Sequence, residues 1–372
     1  MRPTDIKAEN YTEQLQSKTD FVQTQFAHLP MPVLEVFESA PLRYRMRAEF
    51  RMWHEGDDLQ HIMFDQVTKD KYEVTHFPPA SELINQVMHD LVELLRPNTI
   101  ARKRLFEIDY LATVSGEILV SLLYHKALDE AWVEEIKKIR ATLREKYSLD
   151  IVGRAKKQKF VLDRDFVMES LTIKDKAYTF KQVENSFTQP NAGVNIKMIE
   201  WALNATKADN AQHDLLELYC GAGNFSVPLA QNFRRVLATE ISKTSVYAAQ
   251  DNIEQNGIDN LTILRMSSEE FVQAQKGERK FRRLEGVELS DYDCRTVLVD
   301  PPRAGLDDAT LEMVKEYDNI LYFSCNPDTL NENLVSLLKT HKVSKFALFD
   351  QFPYTHHAEC GIYLTAINSP EA

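Results

Sequence analysis

The chain is 372 residues long and 44% hydrophobic, with 44 Lys and Arg against 56 Asp and Glu for a net charge of −12. That length suggests two domains with enough buried surface to need neither disulfides nor a structural metal. No run of about 18 apolar residues marks a membrane span, and the polar start Met1-Arg-Pro-Thr-Asp-Ile6 lacks the apolar core of a secretory signal.

Four cysteines, Cys220, Cys294, Cys325 and Cys360, do not make a disulfide scaffold. The expected setting is cytoplasmic and reducing, where a catalytic thiol stays free. The acidic balance does not exclude a nucleic-acid partner, because RNA contact needs only a local basic surface. Residues 1–178 hold 26 Lys/Arg against 29 Asp/Glu, whereas residues 179–372 hold 18 against 27.

In chain order, a polar helix is expected from Tyr11 to Ala27, followed by a turn at Leu29-Pro-Met-Pro32. Arg43 to His54 reads as a strand with Arg43, Arg45, Arg47 and Arg51 on one face and Tyr44, Met46, Phe50 and Met52 on the other. Such a face suits RNA, or else is an ordinary solvated surface. Helices are expected at about 81–96, with Ser81 as N-cap, and at 128–147, with a strand at 118–124 between them. Basic clusters occur at Arg102-Lys-Arg104 and Arg154–Lys159, and Phe106 is a candidate to stack on a base. A domain boundary is placed near 178–192, dividing an α+β RNA-binding domain (1–178) from a catalytic domain (179–372).

Beyond that boundary strands and helices alternate. Strands 215–219, 236–240, 261–265, 296–300 and 320–324 each lead into a loop or helix, and strands 346–350 and 361–366 close the chain. Repeated βα units imply a doubly wound, mostly parallel sheet with its ligands beyond the strand C-termini.

The loop Tyr219-Cys-Gly-Ala-Gly-Asn224 lets the backbone approach a ligand closely, but position 226 is Ser where a dinucleotide fingerprint has its third glycine. Glu240 ends the next strand, where an acidic residue binds ribose hydroxyls. With Asp300-Pro-Pro302 in the corresponding place, these features read as an S-adenosylmethionine site of class I (Rossmann-like) type. Cys325, in Ser-Cys-Asn-Pro, stands at a strand end; on its own it is more often a small buried hydrophobe. Glu359 precedes the last strand. Arg303 suits an oxyanion or a phosphate. His356 and His357 lack a third ligand at metal-binding spacing.

Leu215–Ser226, Asp300-Pro-Pro-Arg303, Ser324-Cys-Asn-Pro327 and Asp350–Gly361, with Tyr44–Phe50 and Ser121–His125 earlier in the chain, resemble the tRNA (uracil-5-)-methyltransferases. The resemblance covers nearly the whole chain. It implies methyl transfer from S-adenosylmethionine to C5 of uridine 54 in the tRNA T-loop, giving ribothymidine, with tRNA-like RNA as a further substrate. It further implies cofactor contacts from Gln189, Tyr219, Asn224, Glu240 and Asp300, Cys325 as nucleophile and Glu359 as proton acceptor. Relatives acting on ribosomal RNA carry an iron–sulfur cysteine cluster ahead of the catalytic domain; no cysteine precedes Cys220 here, so neither cluster nor metal is expected. No protein partner is inferable. Two alternatives stand beside this reading: a class I methyltransferase for another base, and an RNA-binding protein that folds tRNA. The first, where it methylates an amino group, would need no nucleophile.

Overall fold

The computed structural model describes residues 2–207 and 210–367. Met1, residues 208–209 and residues 368–372, which fall within the expected 1–178 and 179–372 spans, lie outside the described residues. The chain forms two compact units. The first comprises Met1–Asn10, Ala40–Leu171 and Lys181–Ala192; the second comprises Tyr11–Ser39, Thr172–Phe180 and Gly193–Ala372.

The units therefore interleave along the chain, where the sequence suggested one boundary. The cause is the apolar face of the first elements. In α1 (Tyr11–Phe26) the buried side chains are Tyr11, Lys18, Val22 and Phe26, one stripe of a helix. Val22 and Phe26 join the core of the second unit, and the Phe26 ring meets Phe346 edge-on at 5.3 Å. The strand β1 (Leu34–Phe37) then adds an edge to the same unit's sheet.

The first unit is α+β. Its elements are β2 (Arg47–Glu55), β3 (Asp58–Phe64), β4 (Lys71–Glu73), α2 (Glu82–Leu95), β5 (Leu105–Ala112), β6 (Glu117–Tyr124), α3 (Glu130–Arg144), β7 (Ser148–Ala155) and β8 (Gln158–Val161). The strands form one sheet in the order β4-β3-β2-β5-β6-β7-β8, and only β6 and β7, joined through α3, pair in parallel. Ser81 caps α2 by accepting from the Ile84 N–H, and Asp129 caps α3 by accepting from Trp132. Ile84, Met88 and Leu91 of α2 and Trp132, Ile136 and Leu143 of α3 share one core with Phe50, Ile108, Tyr110 and Val120 of the sheet. The hairpin β9 (Phe166–Ile173) and β10 (Lys176–Val183) follows, and then α4 (Ala192–Ala205).

The rest of the second unit alternates as its sequence suggests. It runs β11 (Asp214–Leu218), α5 (Ser226–Leu229), β12 (Val236–Thr239), α6 (Lys243–Gln255), β13 (Leu261–Leu264), α7 (Ser268–Gln275) and β14 (Cys294–Val299). Then come α8 (Asp308–Val314), β15 (Asn319–Ser324), α9 (Pro327–Leu337), β16 (His341–Phe349) and β17 (Glu359–Ala366). The sheet order is β1-β16-β17-β15-β14-β11-β12-β13, parallel throughout except where β17 meets β15 and β16. Every residue of β11 and β12 is buried, as a parallel sheet covered on both faces requires. The chain winds outward from β11 to β13 and resumes on the other side of β11 with β14. That reversal is the switch point where open α/β sheets bind ligands.

Candidate active site

Strand register sets out the site. Leu218 pairs with Thr239 on one side and Val299 on the other. The next residue on each strand therefore stands in a row at the C-terminal edge: Tyr219, Glu240 and Asp300. One strand further, Ser324 pairs with Cys360 in antiparallel sense, which puts Cys325 opposite Glu359. Five of the residues singled out from sequence thus converge on one edge of one sheet.

The loop after β11 is built to approach a ligand. Gly221 and Gly223 have φ of +55° and +84°, and Tyr219, with a side chain, still takes φ +61°. A Cβ on Gly223 would meet Val227 Cγ2 at 3.1 Å, a tight contact added to the strain of a side chain at that φ. Glu240 Oε2 accepts from the Gly221 N–H at 3.0 Å and Oε1 from the Ser242 N–H at 2.7 Å. Those two bonds fix a half-exposed carboxylate beside the glycine turn, a suitable grip for vicinal ribose hydroxyls. The Tyr219 hydroxyl donates to Ser268 Oγ at 2.7 Å, tying the loop to α7. Ser226 replaces the third glycine of a dinucleotide loop and donates its hydroxyl to Glu217, whose carboxyl burial pushes up to about 8. The two amides of Asn224 and Asn195 pair reciprocally at 2.8 and 2.9 Å.

Asn195, Ser268 and Glu217 are site-supporting residues that pattern reading missed. Only Glu217, a carboxylate inside an apolar strand, carried a signal.

The candidate thiol and carboxyl lie at the strand ends. Cys325 is half-buried, and its thiol is pushed up to about 11 by burial first, then by Glu359 and Asp300, with Arg303 opposing. Glu359 is 4% exposed, its Oε1 has no hydrogen-bond partner among the described residues, and burial and Asp300 hold its carboxyl well above the usual range. Burial also lifts Asp300, to about 7. An orphaned buried carboxyl oxygen costs stability unless a ligand completes it. The carbonyl of exposed Arg303 accepts from Asn326 Nδ2 at 3.0 Å and Thr329 Oγ1 at 3.3 Å, which binds the Asp300-Pro-Pro-Arg303 turn to the start of α9. Cys220 and Cys360 are buried, and their thiols are pushed up by burial. Among the described residues no group of three or more His, Cys, Asp or Glu could hold a metal ion.

The other candidates belong to the first unit. Gln189 lies on its segment Lys181–Ala192. The expected arginine face is broken: Arg43 takes φ +59°, which interrupts the two-residue period, and β2 begins only at Arg47. Arg43 pairs with Glu82 at 3.0 Å, and half-buried Arg45 donates Nε to the Arg47 carbonyl at 2.7 Å. Arg47 donates to the Ser186 carbonyl at 2.9 Å and approaches Glu49 at 3.3 Å. Across to β5, Glu49 pairs with Asp109 and Arg51 with Glu107, so the outer face is mixed in charge rather than basic. Burial, Glu49 and Glu107 push Asp109 up to about 7. Phe106 stacks on His125 with centroids 3.8 Å apart and planes 11° apart, and the Arg51 guanidinium sits 5.5 Å from the Phe106 ring.

A family model described as tRNA (Uracil-5-)-methyltransferase matches residues 10–367. A protein of Pseudoalteromonas atlantica named tRNA/tmRNA (uracil-C(5))-methyltransferase is 65% identical over 98% of this chain and 99% of its own length. One of the same name from Erwinia tasmaniensis is 56% identical over 98% and 99%. Among solved structures, the Pyrococcus abyssi tRNA (uracil-54, C5)-methyltransferase in complex with S-adenosyl-L-homocysteine shares the fold. Its TM-score is 0.72 at 19% identity, covering 96% of this chain and 84% of that one. With a strand-end thiol, an opposed carboxyl and a family match spanning almost every residue, this chain belongs to the tRNA (uracil-5-)-methyltransferases.

Proposed function

We propose that this enzyme methylates C5 of uridine 54 in the tRNA T-loop through a covalent adduct on Cys325, with S-adenosylmethionine as methyl donor and tRNA-like RNA as a further substrate. The observation that carries this reading is the opposition of Cys325 and Glu359 across β15 and β17. C5 of uracil is too weak a nucleophile to attack a sulfonium methyl unaided. A thiolate adding to C6 pushes the C5–C6 electron pair toward O4, and the enolate makes C5 nucleophilic.

The Cys325 proton leaves to solvent, and the thiolate forms the bond to C6. The donor supplies an electrophilic methyl, and its leaving group is a neutral thioether. Glu359 then takes the C5 proton, the C5–C6 double bond returns and the sulfur leaves. Burial and the neighbouring Asp300 raise Glu359, which makes its carboxylate a stronger acceptor for the C5 proton once the methyl has moved. Glu240 holds the ribose, and Tyr219 and Asn224 add the cofactor contacts of the second unit. Arg303 offsets the developing negative charge, since its guanidinium already lowers the cost of a thiolate at Cys325.

RNA is engaged by the first unit. Arg51 remains exposed beside the stacked Phe106–His125 pair, a platform of the kind on which bases stack. On this reading recognition falls to the first unit and chemistry to the second. The surroundings in which such work is done are the cytoplasm.

The test is to incubate the enzyme with S-adenosylmethionine and unmodified tRNA, digest the RNA and identify nucleosides by mass spectrometry. Ribothymidine should form, and should fail to form on tRNA carrying cytidine at position 54. Methylation at another position or base would overturn the reading.

A further inference from the structure

The helix α1 stands outside the alternating βα units, yet its polar side chains reach the supports of both reacting residues. Tyr11, Gln14, Lys18 and Gln25 are spaced three, four and seven apart, which places them along one side of the helix. At one end, three of them converge on Asp350, whose side chain is fully buried at the end of β16. Tyr11 donates its hydroxyl to Asp350 Oδ2 at 2.9 Å, Gln14 donates Nε2 to the same oxygen at 2.8 Å, and Lys18 donates Nζ to Oδ1 at 2.6 Å. Lys18 Nζ also reaches the Phe352 carbonyl at 2.8 Å, and Gln14 Oε1 accepts from the Tyr354 N–H at 2.9 Å. Asp350, Phe352 and Tyr354 lie on the turn that ends at Glu359. At the other end, Gln25 Nε2 donates to Asp328 Oδ1 at 2.8 Å and the Gln25 carbonyl accepts from Asn331 Nδ2 at 2.7 Å. Asp328 and Asn331 open α9, directly after Cys325.

We propose that α1 is a brace that holds Glu359 in place opposite Cys325, with Lys18, Tyr11, Gln14 and Gln25 as positioning residues. The proposal rests on the reading above, in which Glu359 removes the C5 proton. A buried lysine is a poor choice for stability alone, because replacing such an ion pair by packed apolar groups is often neutral or favourable; what it supplies is a directional tie. Burial pulls the Lys18 ammonium below its ordinary value and Asp350 restores part of the loss. The end of the Glu359 turn is fixed on its far side by close packing. A Cβ on Gly361 would meet Phe349 Cε2 at 2.8 Å and Trp201 Cζ3 at 3.1 Å, so β17 cannot shift toward those rings. The near side of the turn is held by α1. Loosening it affects proton removal first, because addition and methyl transfer do not use the carboxylate.

The variants Lys18→Met, Tyr11→Phe and Lys18→Arg test this, with melting temperature, S-adenosylmethionine Kd, tRNA KM, kcat and the steady-state fraction of methylated RNA–protein adduct measured for each. Lys18→Met should lower kcat about tenfold or more, the scale of a displaced general base. Its KM and Kd should stay within about twofold, and trapped adduct should rise. Tyr11→Phe should move the same quantities less, and Lys18→Arg should recover part of the loss. A folded Lys18→Met enzyme with normal kcat and adduct overturns the brace. So does a parallel loss of melting temperature, cofactor affinity and kcat without added adduct. Should Lys18→Met fail to fold, Tyr11→Phe decides by the same criteria. Glu359→Gln separates the two readings: if it turns over normally, the base assignment fails, whereas if it stalls while Lys18→Met does not, only the brace fails.

Discussion

Cys325 and Glu359 face each other one residue beyond the Ser324–Cys360 pair, and they do so because β17 runs against its neighbours. In a parallel sheet, ligand-facing residues follow the strands. An antiparallel strand brings its first residue to that same edge. Reversing β17 therefore sets a carboxylate at the start of one strand beside a thiol at the end of another, at the row formed by Tyr219, Glu240 and Asp300.

Glu240→Ala should weaken S-adenosylmethionine binding by about 1–3 kcal/mol, since the ribose loses its acceptor and the Gly221 and Ser242 N–H groups lose theirs. RNA affinity should barely change. Calorimetry showing normal cofactor binding would place the ribose elsewhere.

The pH dependence follows from the direction of the shifts. Burial and neighbouring negative charge raise both Cys325, to about 11, and Glu359. The reacting forms are the deprotonated ones, so the single-turnover rate should climb as pH rises from about 6 to 9. Asp300 is one of the charges raising both groups. Asp300→Asn should therefore slow the reaction yet move its profile to lower pH. A profile that stays in place or moves to higher pH contradicts the coupling.

Arg51→Gln should weaken tRNA binding and reduce its logarithmic salt slope by about one, as a lost phosphate contact does. Phe106→Ala should cost about 1–3 kcal/mol in RNA affinity with little change in slope, the mark of lost stacking. Equal salt slopes for the two variants would show that Arg51 makes no phosphate contact.

The second unit was legible because its candidate site residues sit at ends of strands that announce themselves. Apolar runs led directly to Glu240, Asp300 and Cys325, and register did the rest. What stayed hidden depends on contacts distant in the chain. The amphipathic stripe of α1 gave no sign of its destination, since Lys18 reads as a solvent residue until Asp350, 332 positions on, is found beside it. The arginine face failed for a local reason: the left-handed turn at Arg43 resets the alternation, and the acids that neutralise Arg51 and Arg47 come partly from β5. Asn195, the partner of Asn224, lies on a helix with no motif of its own.

On the proposed mechanism Cys325 forms the adduct and Glu359 resolves it. Removing a positioned base costs about 10²–10⁴ in rate, but only after the methyl has moved. Glu359→Gln should therefore accumulate an RNA–protein complex on denaturing gels carrying label from both tRNA and the methyl group of S-adenosylmethionine, while Cys325→Ala forms none and still binds tRNA within about tenfold, roughly 1.4 kcal/mol. A Glu359→Gln enzyme that turns over normally, or that stalls before any doubly labelled band appears, would contradict the account.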